Sequence, residues 1–181
     1  MMFRFLLLTY IFIAASVFGQ GITFSDASQK QGLIFKHEHG GSGMKYYVET
    51  MGSGVCLLDY DNDGDLDIYF AQGASLPGFE GSKELINRLF QNNGGKWSDV
   101  TKKAGVGDPS YSIGCACGDI DNDGDIDLYV SNFGNDTFYR NNGNGTFFEA
   151  TQSTGFNNIE WSSSAAFFDG DLDCLLYTSD A

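Results

Sequence analysis

Aspartates stand at every second position over two short stretches of the chain. They are Asp59, Asp61, Asp63, Asp65 and Asp67 in the first stretch and, sixty residues later, Asp119, Asp121, Asp123, Asp125 and Asp127 in the second. Carboxylates packed this densely repel one another strongly unless a cation neutralises them. Oxygen ligands suit a hard cation such as Ca²⁺ and argue against zinc or copper.

The two stretches, which we call the first acidic loop (residues 59–67) and the second acidic loop (residues 119–127), have the spacing of a calcium-binding loop. Side chains at the first, third, fifth and ninth positions, with the backbone carbonyl of the seventh, can converge on one ion. In the first loop the seventh residue is Asp65, and in the second loop it is Asp125. The alternative interpretation is a solvated acidic turn that holds no ion.

The acidic loops match an EF-hand only over their first nine residues. A glycine at the sixth position, Gly64 or Gly124, allows the sharp turn, but an EF-hand also needs a glutamate at the twelfth position and helices on both sides. The twelfth residues here are Phe70 and Val130, and the flanking segments look like apolar strands. A shortened third acidic loop (residues 169–173) offers only three residual ligand candidates, which are Asp169, Asp171 and Asp173.

The acidic loops belong to an internal repeat. Residues 54–70 recur as residues 114–130, and a second element, running from an aromatic residue through an acid to a glycine, occurs three times. Its copies are residues 24–33, 97–106 and 147–156. Asn-Gly turns predict tight hairpins between strands, and no stretch shows a helical stripe.

One repeat unit therefore predicts four short antiparallel strands, at residues 114–118, 126–131, 137–141 and 146–150. This pattern indicates an all-β chain, a partial β-propeller of about three four-stranded blades with calcium-binding loops. A β-sandwich is the alternative, but it does not require repeated sequence. Because the acidic loops lie in different blades, we expect their ion sites to act independently.

The N-terminus predicts export. Residues 1–19 combine an early positive charge with an apolar run and small or branched residues near the end, as in a secretion signal, although an uncleaved membrane anchor is the alternative. We expect the repeats to occupy residues 20–173. Residues 174–181 look non-native, because their last six residues resemble the read-through of a sequencing adapter. The mature protein would be secreted, or periplasmic in a bacterium, without a membrane span.

Charge and composition exclude some functions. With 24 acidic against 10 basic residues and a net charge of −14, the chain would repel nucleic acid. We find no Ser-His-Asp or Cys-His grouping that would activate a nucleophile, so we do not expect an enzyme. His37 and His39 could share a face and suggest a transition metal, but they lack a third ligand, which favours a solvated loop.

The cysteines and two asparagines carry weaker signals. Export makes disulfides possible, but Cys56 lies one step out of phase with Cys115 and Cys117 in the repeat, so we predict three buried free thiols. Asn135 and Asn144 fit the N-glycosylation pattern, which would make the protein a glycoprotein.

The acidic loops with their Asn-Asn-Gly hairpins resemble FG-GAP and VCBS repeats, such as those of the integrin alpha-subunit propeller. Residues 45–54, which lead into the first acidic loop, resemble more narrowly the cartilage acidic protein group. The resemblance implies a calcium-stabilised propeller, commonly seven-bladed and used for extracellular binding, so we expect further blades in the full-length chain.

The function that this resemblance implies is adhesion or protein interaction outside the cell, with an extracellular protein or a matrix glycan as the partner. Two alternatives remain open. One is a carbohydrate-binding, lectin-like propeller, and the other is the non-catalytic part of a larger secreted enzyme that degrades polysaccharides or lipids.

Overall fold

The computed structural model of the protein describes residues 22–81, 84–156 and 158–168, together with the backbone of residues 177–178. The predicted secretion signal (residues 1–19) and the ligand candidates of the third acidic loop lie outside these residues. The predicted tail (residues 174–181) also lies outside them, apart from the two backbone positions.

Two four-stranded antiparallel sheets form the described part of the chain, and each follows the chain order of its strands. The first sheet contains β1 (Val55–Leu58), β2 (Asp67–Phe70), β3 (Arg88–Asn92) and β4 (Trp97–Asp99). The second sheet contains β5 (Ser112–Gly118), β6 (Asp127–Asn132), β7 (Thr137–Asn141) and β8 (Phe147–Glu149). A two-stranded pair follows, made of β9 (Phe167–Phe168) and β10 (Tyr177–Thr178). This all-β arrangement of four-stranded blades confirms the predicted partial propeller, and the described sheets do not close into a ring.

The residues that the structure describes also contain three one-turn helices, one before the first sheet and one after each sheet. They are α1 (Ser28–Gln31), α2 (Thr101–Ala104) and α3 (Thr151–Thr154), and a 3₁₀ turn lies at Tyr47–Thr50. Each α-helix ends at a glycine with positive φ and coincides with one of the three aromatic-to-glycine elements. The sequence shows no helical stripe here because a single turn is too short to display a period of 3.6 residues.

The two short helices that follow the sheets are held to the third strand of their own sheet. The Leu89 N–H donates to Thr101 Oγ1 at 2.9 Å, and the Phe138 N–H donates to Thr151 Oγ1 at 3.0 Å. These equivalent bonds show that the two repeat units share side-chain contacts as well as strand order.

The two sheets pack against each other through a common apolar core. Leu58 and Tyr69 of the first sheet and Leu128 and Val130 of the second belong to one buried cluster. The backbones of the two sheets come close together where Gly54 precedes β1 and Gly114 lies in β5. A Cβ atom on Gly54 would lie 2.5 Å from the Gly114 Cα. Gly54, the glycine that precedes the first acidic loop, is therefore required by the contact between the two sheets.

The cysteines correct one prediction. Cys56 of β1 and Cys115 of β5 form a disulfide that joins the two sheets, so the prediction that both are free thiols is wrong. Adjacent sheets face each other with opposite sides, which brings together residues that are out of phase in the repeat. Cys117 is free, as predicted, and its half-buried Sγ lies 3.1 Å from the Leu57 carbonyl.

Candidate metal centres

The first acidic loop is folded by its own aspartates. Asp59 accepts hydrogen bonds from the Asp63 N–H at 3.1 Å and the Gly64 N–H at 2.9 Å, and Asp63 Oδ1 accepts from the Asp65 N–H at 2.9 Å. Asn62 has φ 58° and Gly64 has φ 88°, which is why residues that tolerate the left-handed region occupy these positions.

The second acidic loop repeats this geometry closely. Asp119 accepts from the Asp123 N–H at 3.1 Å and the Gly124 N–H at 2.8 Å, and Asp123 Oδ1 accepts from the Asp125 N–H at 2.9 Å. Equal local sequence therefore produces an equal local fold in two different blades.

The folded loops bring carboxylate oxygens together. In the first loop Asp59, Asp61 and Asp67 each place an oxygen within 4.8 Å of the others. In the second loop the corresponding group is Asp119, Asp121 and Asp123. The predicted ligands Asp63 and Asp127 are not members of these groups.

The seventh residue of each loop directs its side chain away from the carboxylate group. Asp65 Oδ2 accepts from the Gly94 N–H at 3.0 Å in the β3–β4 turn, and Asp125 Oδ1 accepts from Asn62 Nδ2 at 2.6 Å. That these residues would bind an ion through their backbone carbonyls stays a prediction.

The electrostatics of the first loop fit a hard cation. The Oδ1 of Asp61 is buried, and among the described residues no group other than the Tyr60 hydroxyl beside it offers this oxygen a hydrogen bond. Burial, followed by the charges of Asp63 and Asp59, raises the pKa of Asp61. A buried carboxylate oxygen among like charges is the arrangement that a bound cation stabilises. The residues that would hold the cation are therefore Asp59, Asp61 and Asp67.

The ninth residue of each loop is a buried carboxylate. Asp67 accepts from the Tyr60 and Asn92 N–H groups, and Asp127 accepts from the Ile120 and Asn141 N–H groups. Burial raises the pKa of both carboxyls to about 6 despite these hydrogen bonds. Each carboxyl therefore titrates close to neutral pH when no cation is bound.

The two loops differ in the side chain that contacts their third residue. Gln91 Nε2 donates to Asp61 Oδ2 at 2.6 Å, whereas the guanidinium of Arg140, at the equivalent position of β7, pairs with Asp121. Lys103 also acts on the first loop, but only as a more distant charge that lowers the pKa of Asp61. The second loop thus carries a cation of its own in direct contact with a predicted ligand.

Sequence reasoning missed the hairpin residues that support the loops. Asn92 and Asn141 end the third strand of each sheet, and their side chains bond to backbone carbonyls of the loops, Leu66 O at 3.2 Å and Ile126 O at 3.1 Å respectively. The repeated Asn-Asn-Gly signal marked these positions, but it was interpreted only as a turn.

The remaining candidate sites do not gather ligands. His37 and His39 belong to no metal-binding group among the described residues, and His39 Nδ1 accepts from the Gly41 N–H. Asn135 and Asn144 are exposed, and Asn144 lies in the β7–β8 turn, where its Oδ1 accepts from Thr146.

Repeated four-stranded antiparallel sheets with an acidic loop between the first two strands define a repeat protein of the propeller class. The FG-GAP-like repeat family matches residues 59–130 and, in a second copy, residues 119–176. These matches cover more than half of the chain, and the protein belongs to the FG-GAP-like repeat family. The second match includes the third acidic loop. The narrower resemblance to the cartilage acidic protein group stays a prediction.

A search of curated proteins found no match to the chain. In the part of the chain that the structure describes, no helix is long and apolar enough to cross a membrane.

Proposed function

We propose that this protein is a calcium-binding propeller module that serves extracellular adhesion or protein interaction and is not an enzyme. The observation that carries the proposal is the convergent carboxylate group of Asp59, Asp61 and Asp67, whose oxygens lie within 4.8 Å of one another. Calcium suits this all-oxygen donor set, and its role would be structural. A carboxylate held ionised by a cation is a poor general acid, which favours binding over catalysis.

Three further observations support an extracellular role. FG-GAP-like repeats are propeller-type interaction modules, the two sheets are joined by a disulfide, and residues 1–19 resemble a secretion signal. Disulfides persist in oxidising compartments, where millimolar calcium is also available. The partner would be an extracellular protein or a matrix glycan.

Calcium titration calorimetry of the full chain tests the metal assignment. We expect dissociation constants of about 0.1 to 1 mM, in the range of extracellular modules. Asp61→Asn removes the charge and one oxygen of a convergent ligand with little change in shape, so it should weaken the first site strongly. Asp65→Asn is the matched control, because the Asp65 side chain bonds to the β3–β4 turn and only its carbonyl is expected to bind the ion. The absence of heat and of any calcium-dependent change in melting temperature would refute the assignment.

A second candidate function, glycan binding, is favoured by an exposed cluster of aromatic rings. Tyr47 is 73% exposed, Phe133 46% and Trp161 36%, and the Trp161 ring centroid lies 5.7 Å from that of Tyr47 and 5.2 Å from that of Phe133. Aromatic faces of this kind can stack on sugar rings. A glycan array probed with the full chain and with Trp161→Ala tests this candidate, since sugar stacking on the cluster predicts specific signals that the variant loses.

A further inference from the structure

The two acidic loops contact each other directly, although they belong to different sheets. Asn62, the fourth residue of the first loop, donates through Nδ2 to Asp125 Oδ1 of the second loop at 2.6 Å. Asp125 is also the residue whose backbone carbonyl is expected to bind the ion of the second site. A change in one loop can therefore reach the other through a single side chain.

Asn141 forms a second and more deeply buried link. Its Nδ2 donates to the Tyr60 carbonyl of the first loop at 3.0 Å and to the Ile126 carbonyl of the second loop at 3.1 Å. Its backbone N–H donates to Asp127 Oδ1 at 2.8 Å, and the residue is only 3% exposed. One buried side chain thus holds backbone groups of both loops.

The equivalent residue of the first sheet lacks the cross-link. Asn92 bonds to the Asp67 carboxylate and to the Leu66 carbonyl, both of which lie in its own repeat. Both asparagines therefore support the acidic loop of their own repeat. Within the described residues, Asn141 also bonds to the neighbouring loop and Asn92 does not. This difference makes Asn92 a matched control.

Packing reinforces the link at the first loop. Tyr60 lies between the ligands Asp59 and Asp61, and its ring stacks against Phe147 with centroids 6.5 Å apart. A Cβ atom on Gly145 would lie 3.7 Å from the Asp61 Cβ, so the β7–β8 turn rests on the first loop. The second repeat therefore forms one wall of the first site.

We propose that Asn141 is a positioning residue that couples the two sites, so that cation binding in one acidic loop raises the affinity of the other. A cation in the second loop orders the segment from Asp125 to Asp127, which fixes Asn141 and with it the Tyr60 carbonyl. The first binding event then bears the entropy cost of ordering the shared contacts, so the second cation binds more tightly. The gain in affinity is the same whichever site is filled first. This inference rests on the proposed calcium binding, and it replaces the expectation that the sites act independently.

Calcium titration calorimetry of the full chain with CaCl₂ tests the coupling. Asp121→Asn disables the second loop, and Asp61→Asn disables the first. If the sites are coupled, the affinity of each remaining site falls about fivefold or more relative to the same site in the wild-type chain. In an Asn141→Ala background, disabling one site should no longer change the affinity of the other site. In an Asn92→Ala background the first site should be weaker, but its affinity should still depend on the second site. A purely structural role of Asn141 would lower both affinities without changing the dependence.

A second pair of variants keeps the test valid if Asn141→Ala fails to fold. Asn62→Gly removes the exposed link to Asp125, and Asn122→Gly makes the same change in the second loop, where φ is also positive, 57°. We expect Asn62→Gly to reduce the coupling and Asn122→Gly to leave the coupling unchanged. If each site keeps its wild-type affinity when the other is disabled, the coupling is refuted and calcium binding stands. If the wild-type chain binds no calcium, the proposed function itself is refuted.

Discussion

Calcium and protons should compete for the buried carboxylates Asp67 and Asp127, which reverses the pH dependence of stability when calcium is added. The pKa of each carboxyl is about 6 in the folded, calcium-free protein, against an ordinary value of 3.8 in the unfolded chain. Between these values the folded state binds more protons than the unfolded state, so the stability of the calcium-free protein falls as pH rises from about 4 to 6. Calcium binds the ionised carboxylates, so its stabilising effect is largest above pH 6.

The magnitude follows from these pKa values. A difference of about two pH units corresponds to roughly 3 kcal/mol, which we reduce to about 1 kcal/mol per carboxyl because the surrounding loops are open to solvent. Because about half of this difference is already lost at pH 5, the melting temperature without calcium should be about 2 to 4 °C lower at pH 7.5 than at pH 5 for two carboxyls in a domain of this size. The calcium affinity of each site should be about tenfold weaker at pH 5 than at pH 7.5, since about one carboxyl in ten is ionised at pH 5.

Scanning calorimetry at pH 5 and pH 7.5, in a chelator and in excess calcium, measures both effects. His37 works in the opposite direction, because burial lowers its pKa and stability is then lost as pH falls. The comparison is therefore made in a His37→Gln background. Melting temperatures that are equal at the two pH values without calcium, or calcium affinities that do not change with pH, would refute the reasoning.

Three further predictions concern the links between the sheets and the difference between the loops. Cys56→Ser should destabilise the protein by about 4 kcal/mol in denaturant unfolding, because the disulfide closes a loop of 59 residues, while Cys117→Ser should leave stability nearly unchanged. Arg140→Gln should tighten the second calcium site by roughly fivefold in titration calorimetry, since it removes a cation that competes for the ligand; an unchanged affinity would show that the guanidinium moves aside at no cost. Gly54→Ala should lower the melting temperature by several degrees, because its Cβ would clash with the Gly114 Cα, and a neutral result would contradict the close contact between sheets.

Much of the fold was predictable because its determinants are local. The strands expected at residues 114–118, 126–131, 137–141 and 146–150 match β5 to β8 within two residues at each end. Period-two apolar patterns and Asn-Gly turns act over a few residues, so they can be recognised without knowledge of the neighbours. The one-turn helices escaped prediction because their signal is a single glycine with positive φ.

The candidate site was only partly predictable for the same reason. The sequence by itself determined the spacing of the aspartates and the turn of each acidic loop, because the hydrogen bonds that Asp59 and Asp119 accept come from N–H groups only four or five residues along the chain. Only the tertiary structure decided what surrounds the loops. The Cys56–Cys115 bridge and the bond from Asn141 to the Tyr60 carbonyl join residues that are far apart in the chain. Such contacts depend on how one sheet faces the next, and no local pattern encodes that orientation.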